Sequence, residues 1–328
     1  MTDAARPRSK IVIAFDGSAV AGTAVRAAAA LFPGARATVL TVHEAGIGAE
    51  RVLRVGGGLM PPDVVRRAIT GLEQEIIEAA RSVATAGVGL CEEAGLLAEP
   101  AVVSADGQAW KPILRVADKQ RAEVVVCGSR GRGAVTRSVL GSTSSSLLHH
   151  ADGAVLVVPG AGEELDGPAL IAYDGSPAAR EAIAAAGQLL AGRPALVVHA
   201  WESPLRHSAT GRAMSRAPLF EISEMTEDLE AWLGEAAEAT VREGVELAQS
   251  VGFDATGEAV ESATAAWRVL AATAETRNAS VVVAGSQGHG RVASVLLGSV
   301  SAGLVHHADR PVLIIKSTAS SEPLDSGD

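Results

Sequence analysis

A chain of 328 residues has room for about two domains of ~150 residues each, and 48% hydrophobic residues let each half bury a full core. With 38 acidic against 28 basic residues the formal charge is −10, which repels a phosphate polymer and excludes general nucleic-acid binding; aromatics at 3% supply no base-stacking surface. Cys91 and Cys127, the two cysteines, form neither a metal-ligand spacing nor a disulfide framework, as expected of a reducing cytoplasm; residues 1–10 are polar and no run of ~18 apolar residues occurs, so neither a signal segment nor a membrane span is expected.

In chain order the first half reads β-α-β-α-β-α-β-α-β. Residues 10–15 form a short apolar strand, and 19–32 an Ala-rich helix stopped by Gly34. Residues 37–43 are the second strand. The connection 44–62, with Gly56-Gly57-Gly58, is longer than most, and suits a cover over a ligand or a plain surface insertion equally. A long helix over 62–86 leads to a third strand at 98–103, a helix at 108–120 and a Val-rich fourth strand at 124–127. A short helix over 141–150 and a last strand over 155–158 complete the unit. The Gly- and Glu-rich stretch 160–167 reads as a linker.

The second half repeats the first. Val124-Val125-Val126-Cys127-Gly128-Ser129-Arg130-Gly131-Arg132-Gly133 matches Val281-Val282-Val283-Ala284-Gly285-Ser286-Gln287-Gly288-His289-Gly290, and Trp110 finds Trp267, both 157 positions on. His149-His150-Ala151-Asp152 recurs as His306-His307-Ala308-Asp309 at the same offset, and residues 11–18 match 169–176 at 158, a drift of one small indel. So long a period makes each copy a complete domain rather than a solenoid repeat. The long helix of the second copy, roughly 224–251, sets Leu229, Trp232, Leu233 and Ala236 on one stripe. The connection 202–220 carries three arginines and a His, without an assignable role. Strands alternating with helices predict two tandem doubly wound α/β domains, each a five-stranded parallel sheet with helices on both faces. The expected boundaries are 1–159, a linker at 160–167, 168–317, and a polar tail at 318–328.

Each copy contains Gly, two residues, Gly, nine residues, then Gly-Ser: Gly128, Gly131, Gly141 and Ser142 in the first, Gly285, Gly288, Gly298 and Ser299 in the second. The first glycine ends a buried strand and the last opens a helix. Glycines let backbone N–H groups approach an anion with no Cβ in the way, and a helix start adds unpaired donors and a positive dipole end. Ser142 and Ser299 are expected to cap that helix or bond a phosphate oxygen. No Gly-Lys-Ser/Thr is present, so this is not a Walker loop.

On these residues the chain resembles the universal stress protein family over nearly its whole length, as a tandem two-domain, ATP-binding member. The resemblance implies a Rossmann-like, adenine nucleotide alpha hydrolase-like fold that holds ATP, with Mg2+. It implies that Asp16 and Asp174 contact the ribose or adenine edge, that Ala14 and Ala172 lie under the base, and that Val42 and Ala200 bond the adenine edge through their backbone. By the same resemblance residues 128–133 and 285–290 wrap the triphosphate: Gly128, Arg130, Gly131, Arg132 and Gly133, and Gly285, Gln287, Gly288, His289 and Gly290. Gly141-Ser142-Thr143 and Gly298-Ser299-Val300 close over it. Family members pair through the last strand, so the apolar strands 155–158 and 312–315, expected as uncovered edges, imply a homodimer or pairing of the two copies. A protein partner and a role in stress, dormancy or growth arrest are implied as well.

The copies differ where Arg130 and Arg132 face Gln287 and His289. Two arginines offset triphosphate charge better than a neutral His, so the first site is expected to bind ATP more tightly near neutral pH, with acidification narrowing the gap. Adjacent helical residues point about 100° apart, so His149-His150 and His306-His307 are expected to be structural rather than a metal clamp. Trp110 and Trp267 are expected as packing anchors, and Cys127 as a small buried residue. Phosphoryl transfer needs Mg2+ ligands and a group orienting the nucleophile; beside Asp16 and Asp174 the loops hold no second acid. A binding protein rather than an enzyme is therefore expected, with a slow ATPase or autokinase as the alternative.

Overall fold

The computed structural model describes residues 9–46, 49, 54, 61–131, 140–160, 165–202, 220–288 and 297–316, with side chains from 229 onward in the 220–250 helix. The chain divides into two compact units, at 162/163. The connections 44–62 and 202–220 fall largely outside the described residues, as do the tail and four residues of the linker.

The first unit consists of β1 (Lys10–Ala14), α1 (Ala19–Leu31), β2 (Arg36–Glu44), α2 (Pro62–Glu93), β3 (Leu97–Ala105), α3 (Trp110–Gln120), β4 (Val124–Gly128), α4 (Ser142–His150) and β5 (Ala154–Val158). Its strands lie in the order β3-β2-β1-β4-β5, all parallel. The second unit repeats this with β6 (Ala169–Ala172), α5 (Pro177–Leu189), β7 (Pro194–Trp201), α6 (Phe220–Ser250), β8 (Asp254–Glu261), α7 (Ala266–Thr276), β9 (Val281–Gly285), α8 (Ser299–His307) and β10 (Val312–Ile315). Its order is β8-β7-β6-β9-β10, again parallel. Among the described residues no helix is long and apolar enough to cross a membrane.

Val-rich β4 and β9 are buried along their whole length, as strands covered on both faces must be. Ser18 and Ser176 cap α1 and α5 by accepting the N–H groups of Ala21 and Ala179 at 3.2 Å, which supplies the stop between strand and helix. In both units the first strand pairs with its second and fourth, so the strand order reverses beside β1 and β6, where a crevice opens at the strands' carboxyl ends.

Two expectations are corrected. The long helix continues to Glu93 instead of ending at residue 86. Gly87 reads as a breaker by propensity, yet it is where α2 meets the sheet: a Cβ there would lie 2.7 Å from Val39 Cγ1 and 2.8 Å from Phe15 Cδ1. The last strands end the order of their units, as expected of edge strands, but they are buried throughout rather than uncovered. Helices α1 and α4 pack on β5, and α5 and α8 on β10.

Candidate functional site

Each unit carries one cleft at the carboxyl ends of its strands. The first, of about 490 Å³, is lined by Ala14, Asp16, Val42, Gly128, Arg130, Gly131, Gly141, Ser142 and Thr143 among others. The second, of about 510 Å³, is lined by Ala172, Asp174, Ala200, Gly285, Gln287, Gly288, Gly298, Ser299 and Val300. Both are of the size that takes a small-molecule ligand. Of the residues named in the sequence for the nucleotide site, Arg132, Gly133, His289 and Gly290 lie outside the described residues; all the others line the clefts.

The acid of each cleft is held by its own turn. Asp16 Oδ1 accepts the N–H of Ser18 at 2.9 Å, and Asp174 Oδ1 that of Ser176 at 3.0 Å. The residue between has a left-handed backbone, φ 77° at both Gly17 and Gly175, which glycine adopts without steric cost. The second carboxylate oxygen faces the loop: a Cβ on Gly131 would be 2.9 Å from Asp16 Oδ2, and one on Gly288 2.8 Å from Asp174 Oδ2. The glycine spacing thus keeps a carboxylate and a bare backbone in contact across the mouth of each cleft.

On the far side, Gly141 N–H donates to Ser129 O and Gly298 N–H to Ser286 O, both at 2.8 Å. These bonds lock the helix entrance onto the end of β4 or β9. The N-cap residues are Gly141 and Gly298, and no side chain caps either helix. Of the two roles expected of Ser142 and Ser299, a cap or a phosphate ligand, this removes the cap: each is the first helical residue, one position too far along to reach back to the N2 or N3 amide. The N-terminal amides of α4 and α8 are left without intrahelical acceptors, which suits an anion.

Several lining residues carried no signal in the sequence. Ser144 Oγ donates to Gly128 O at 2.6 Å and Ser301 Oγ to Gly285 O at 2.5 Å, so the helix start is tied to the strand end from inside. Beside the first cleft, Thr41 Oγ1 donates to Phe15 O at 2.9 Å, and in the second His199 Nδ1 lies 2.8 Å from Tyr173 O; the acceptor is a carbonyl, so Nδ1 carries the proton. Ala109 and Ile113 of the first unit, and Ala266 and Leu270 of the second, form an apolar wall. The repeat alone could have flagged Ser144, which recurs 157 residues on as Ser301.

Outside the clefts, Trp110 stacks on His150 with ring centroids 4.1 Å apart and planes 9° from parallel; Trp267 and His307 repeat this at 4.5 Å and 18°. Each pair clamps the helix whose start lines the cleft against the preceding one. Cys127, buried under the first cleft, has its thiol pushed up to about 12 by burial, with a bond from Ser144 pulling the other way. At neutral pH it is a packed thiol rather than a nucleophile.

Open parallel sheets of this order, with a cleft at the strand-order reversal walled by a glycine loop and a helix start, place each unit in the doubly wound α/β class. The model of the universal stress protein family matches residues 7–159 and again 167–316, and the chain belongs to that family, with two such domains in tandem. It is 34% identical over 206 residues to a universal stress protein of Mycolicibacterium smegmatis, across 60% of this chain and 62% of the relative. It is 30% identical over 208 residues to one of Mycobacterium tuberculosis, across 60% and 63%. The alignments therefore span less than two thirds of these relatives' length. In fold it is similar to a universal stress protein of Archaeoglobus fulgidus, with a TM-score of 0.58 at 18% identity over 95% of this chain and 99% of that one.

Proposed function

We propose that both units bind ATP and that the protein is a nucleotide-dependent regulator of a stress or growth-arrest response, acting in the cytoplasm. The observation that carries this reading is the repeated mouth of the cleft: an acid fixed at the end of the first strand, in contact with a glycine that could not take a Cβ without displacing it. The residues present fit a nucleotide. The carboxylates of Asp16 and Asp174 suit a ribose hydroxyl, and the backbone at Val42 and Ala200 suits the adenine edge. Loop amides and the uncapped starts of α4 and α8 suit phosphates. Bound Mg2+ would neutralise phosphate charge.

The binding role is favoured over an enzymatic one because each cleft holds a single carboxylate among its described lining residues, Asp16 or Asp174. Efficient phosphoryl transfer asks for more. Binding is then read out through a protein partner and through assembly as a homodimer.

The test is to denature protein purified without added nucleotide and identify what is released by mass spectrometry, before and after incubation with Mg-ATP. The expected result is about two adenine nucleotides per chain, with hydrolysis at background. No nucleotide in either condition overturns the reading. Turnover of the order of 1 s⁻¹, within the range of ordinary enzymes, replaces it with the enzymatic one. Light scattering with and without ATP tests the dimer.

A further inference from the structure

We infer that the two clefts differ in the phosphorylation state of the nucleotide they prefer: the first a triphosphate, the second a nucleoside monophosphate. This rests on the proposed function and divides it between the units.

The nucleoside ends of the clefts are alike. Ala14 and Asp16 have their identical counterparts in Ala172 and Asp174, and Ile113 is matched by Leu270 on the apolar wall. The copies part at the phosphate end. Arg130, in the first cleft, becomes Gln287, which removes a full positive charge and the guanidinium fork that grips phosphate oxygens. Thr143, second residue of α4, becomes Val300 of α8, which replaces a hydroxyl donor by a methyl group at the mouth of a helix start.

Among the described lining residues the first cleft therefore pairs one arginine with one carboxylate, whereas the second has the carboxylate of Asp174 and no lysine or arginine. The neighbouring sequence runs the same way: Arg132 becomes His289, and residues 129–140 contain three arginines against one, Arg291, in 286–297. ATP brings about −4 charges and a monophosphate about −2. Backbone amides and one helix start remain in the second cleft to hold a single phosphate, but among its described lining residues no lysine or arginine offsets two more. The fold keeps the acid, the alanine and the apolar wall of the nucleoside pocket and changes the charge offered at the phosphate end, so one chain reads both the energised and the spent form of one ligand.

The experiment is calorimetric titration of the full chain with ATP and with AMP, on the unmutated protein, Gly131→Glu and Gly288→Glu. Both glycines are exposed, and the added acid blocks phosphate in one cleft at a time. With Gly288→Glu the remaining first cleft is expected to prefer ATP over AMP by roughly tenfold or more, the weight of one lost charge-assisted contact. With Gly131→Glu the second cleft is expected to bind AMP at least as tightly as ATP, and adding Gln287→Arg with Val300→Thr is expected to restore the ATP preference. In the unmutated chain loaded with ATP, AMP displaces one equivalent. Equal ATP-to-AMP ratios in the two clefts, or an exchange variant that leaves the ratio unchanged, overturn the inference and leave the proposed function standing. Uptake of neither nucleotide by the unmutated chain overturns both.

Discussion

Asp16 and Gly131 are 115 positions apart in the chain, yet the carboxylate of one occupies the space beside the other's backbone so closely that a Cβ would meet Oδ2 at 2.9 Å. The same contact joins Asp174 and Gly288 at 2.8 Å. Gly131→Ala is expected to displace Asp16 and lower the nucleotide released on denaturation from about two to one per chain. Gly288→Ala does the same for the other cleft, and the double variant carries none. Mass spectrometric quantification of released nucleotide checks this; undiminished stoichiometry in the single variants would remove the acid–glycine contact from the binding machinery.

Arg130 is the arginine among the described residues of the first cleft. Arg130→Gln makes that position equal to Gln287 and is expected to weaken ATP binding there about tenfold, the size of a charge-assisted hydrogen bond. The sequence further predicts that acidification from pH 8 to 6 narrows the gap between clefts, because protonated His289 adds charge to the second. Titrations of single-cleft variants across that range, with affinities that stay equal, would contradict both statements.

Gly87 and Gly89, two residues apart in α2, are expected to answer substitution by alanine with opposite signs. A Cβ on Gly87 meets Phe15 and Val39 at under 3 Å, whereas one on Gly89 meets nothing within 4 Å. Gly89→Ala gains about 0.5–1 kcal/mol of helix propensity. Gly87→Ala overpacks the contact with the sheet and costs about 1–3 kcal/mol. Gly244, whose Cβ would lie 2.6 Å from Tyr173 Cδ1, follows Gly87. Chemical denaturation separates the two behaviours, and stabilisation by Gly87→Ala would refute the packing argument.

The buried thiol of Cys127 makes stability fall in alkali. Its folded pKa is raised from 9.0 to about 12, so the native state keeps a proton that the unfolded chain releases. The contribution is complete below about pH 9 and is lost as pH rises towards 12. Ala284 fills the matching position of the second unit, so Cys127→Ala is expected to fold and to flatten the decline. Melting temperatures of both proteins between pH 8 and 11 measure it; parallel curves would assign the alkaline loss to other groups.

Glu243 bonds the Tyr173 hydroxyl and pairs with Arg180, at 2.8 Å and 2.6 Å, and these two partners hold its carboxyl below the usual range. A lowered carboxylate stabilises the fold at neutral pH and loses that contribution as pH falls through its folded pKa. The pair is exposed, so the gain is small. Glu243→Gln is expected to lower the melting temperature slightly at pH 7 and not at pH 3; an equal deficit at both would trace the effect to packing.

The sequence by itself determined the duplication, the alternation of strand and helix, and the glycine spacing of each loop. These are legible because they depend on periodicity and local backbone needs: a Val-rich run reads as a buried strand whatever lies beside it. The described glycines and serines named from those signals line the clefts, as do Asp16, Ala14 and Val42 and their counterparts Asp174, Ala172 and Ala200, which only the family resemblance singled out. The tertiary structure alone decided what touches what across elements. The long helix read as ending at residue 86, yet it runs on through Gly87, where the ring of Phe15, 72 positions earlier, leaves no room for a side chain. Ser142 read as a cap until Gly141 took that place, and the serine that ties the helix to the strand proved to be Ser144, through Gly128 O. The strands at 155–158 and 312–315 read as uncovered edges; they do end the order of their units, but helices pack on their faces. Trp110 read as a packing anchor and His150 as structural, and the packing of α3 on α4 stacked one on the other. Such pairings come from close packing of distant segments, where separations of an ångström decide the outcome, and no local pattern in the chain encodes them.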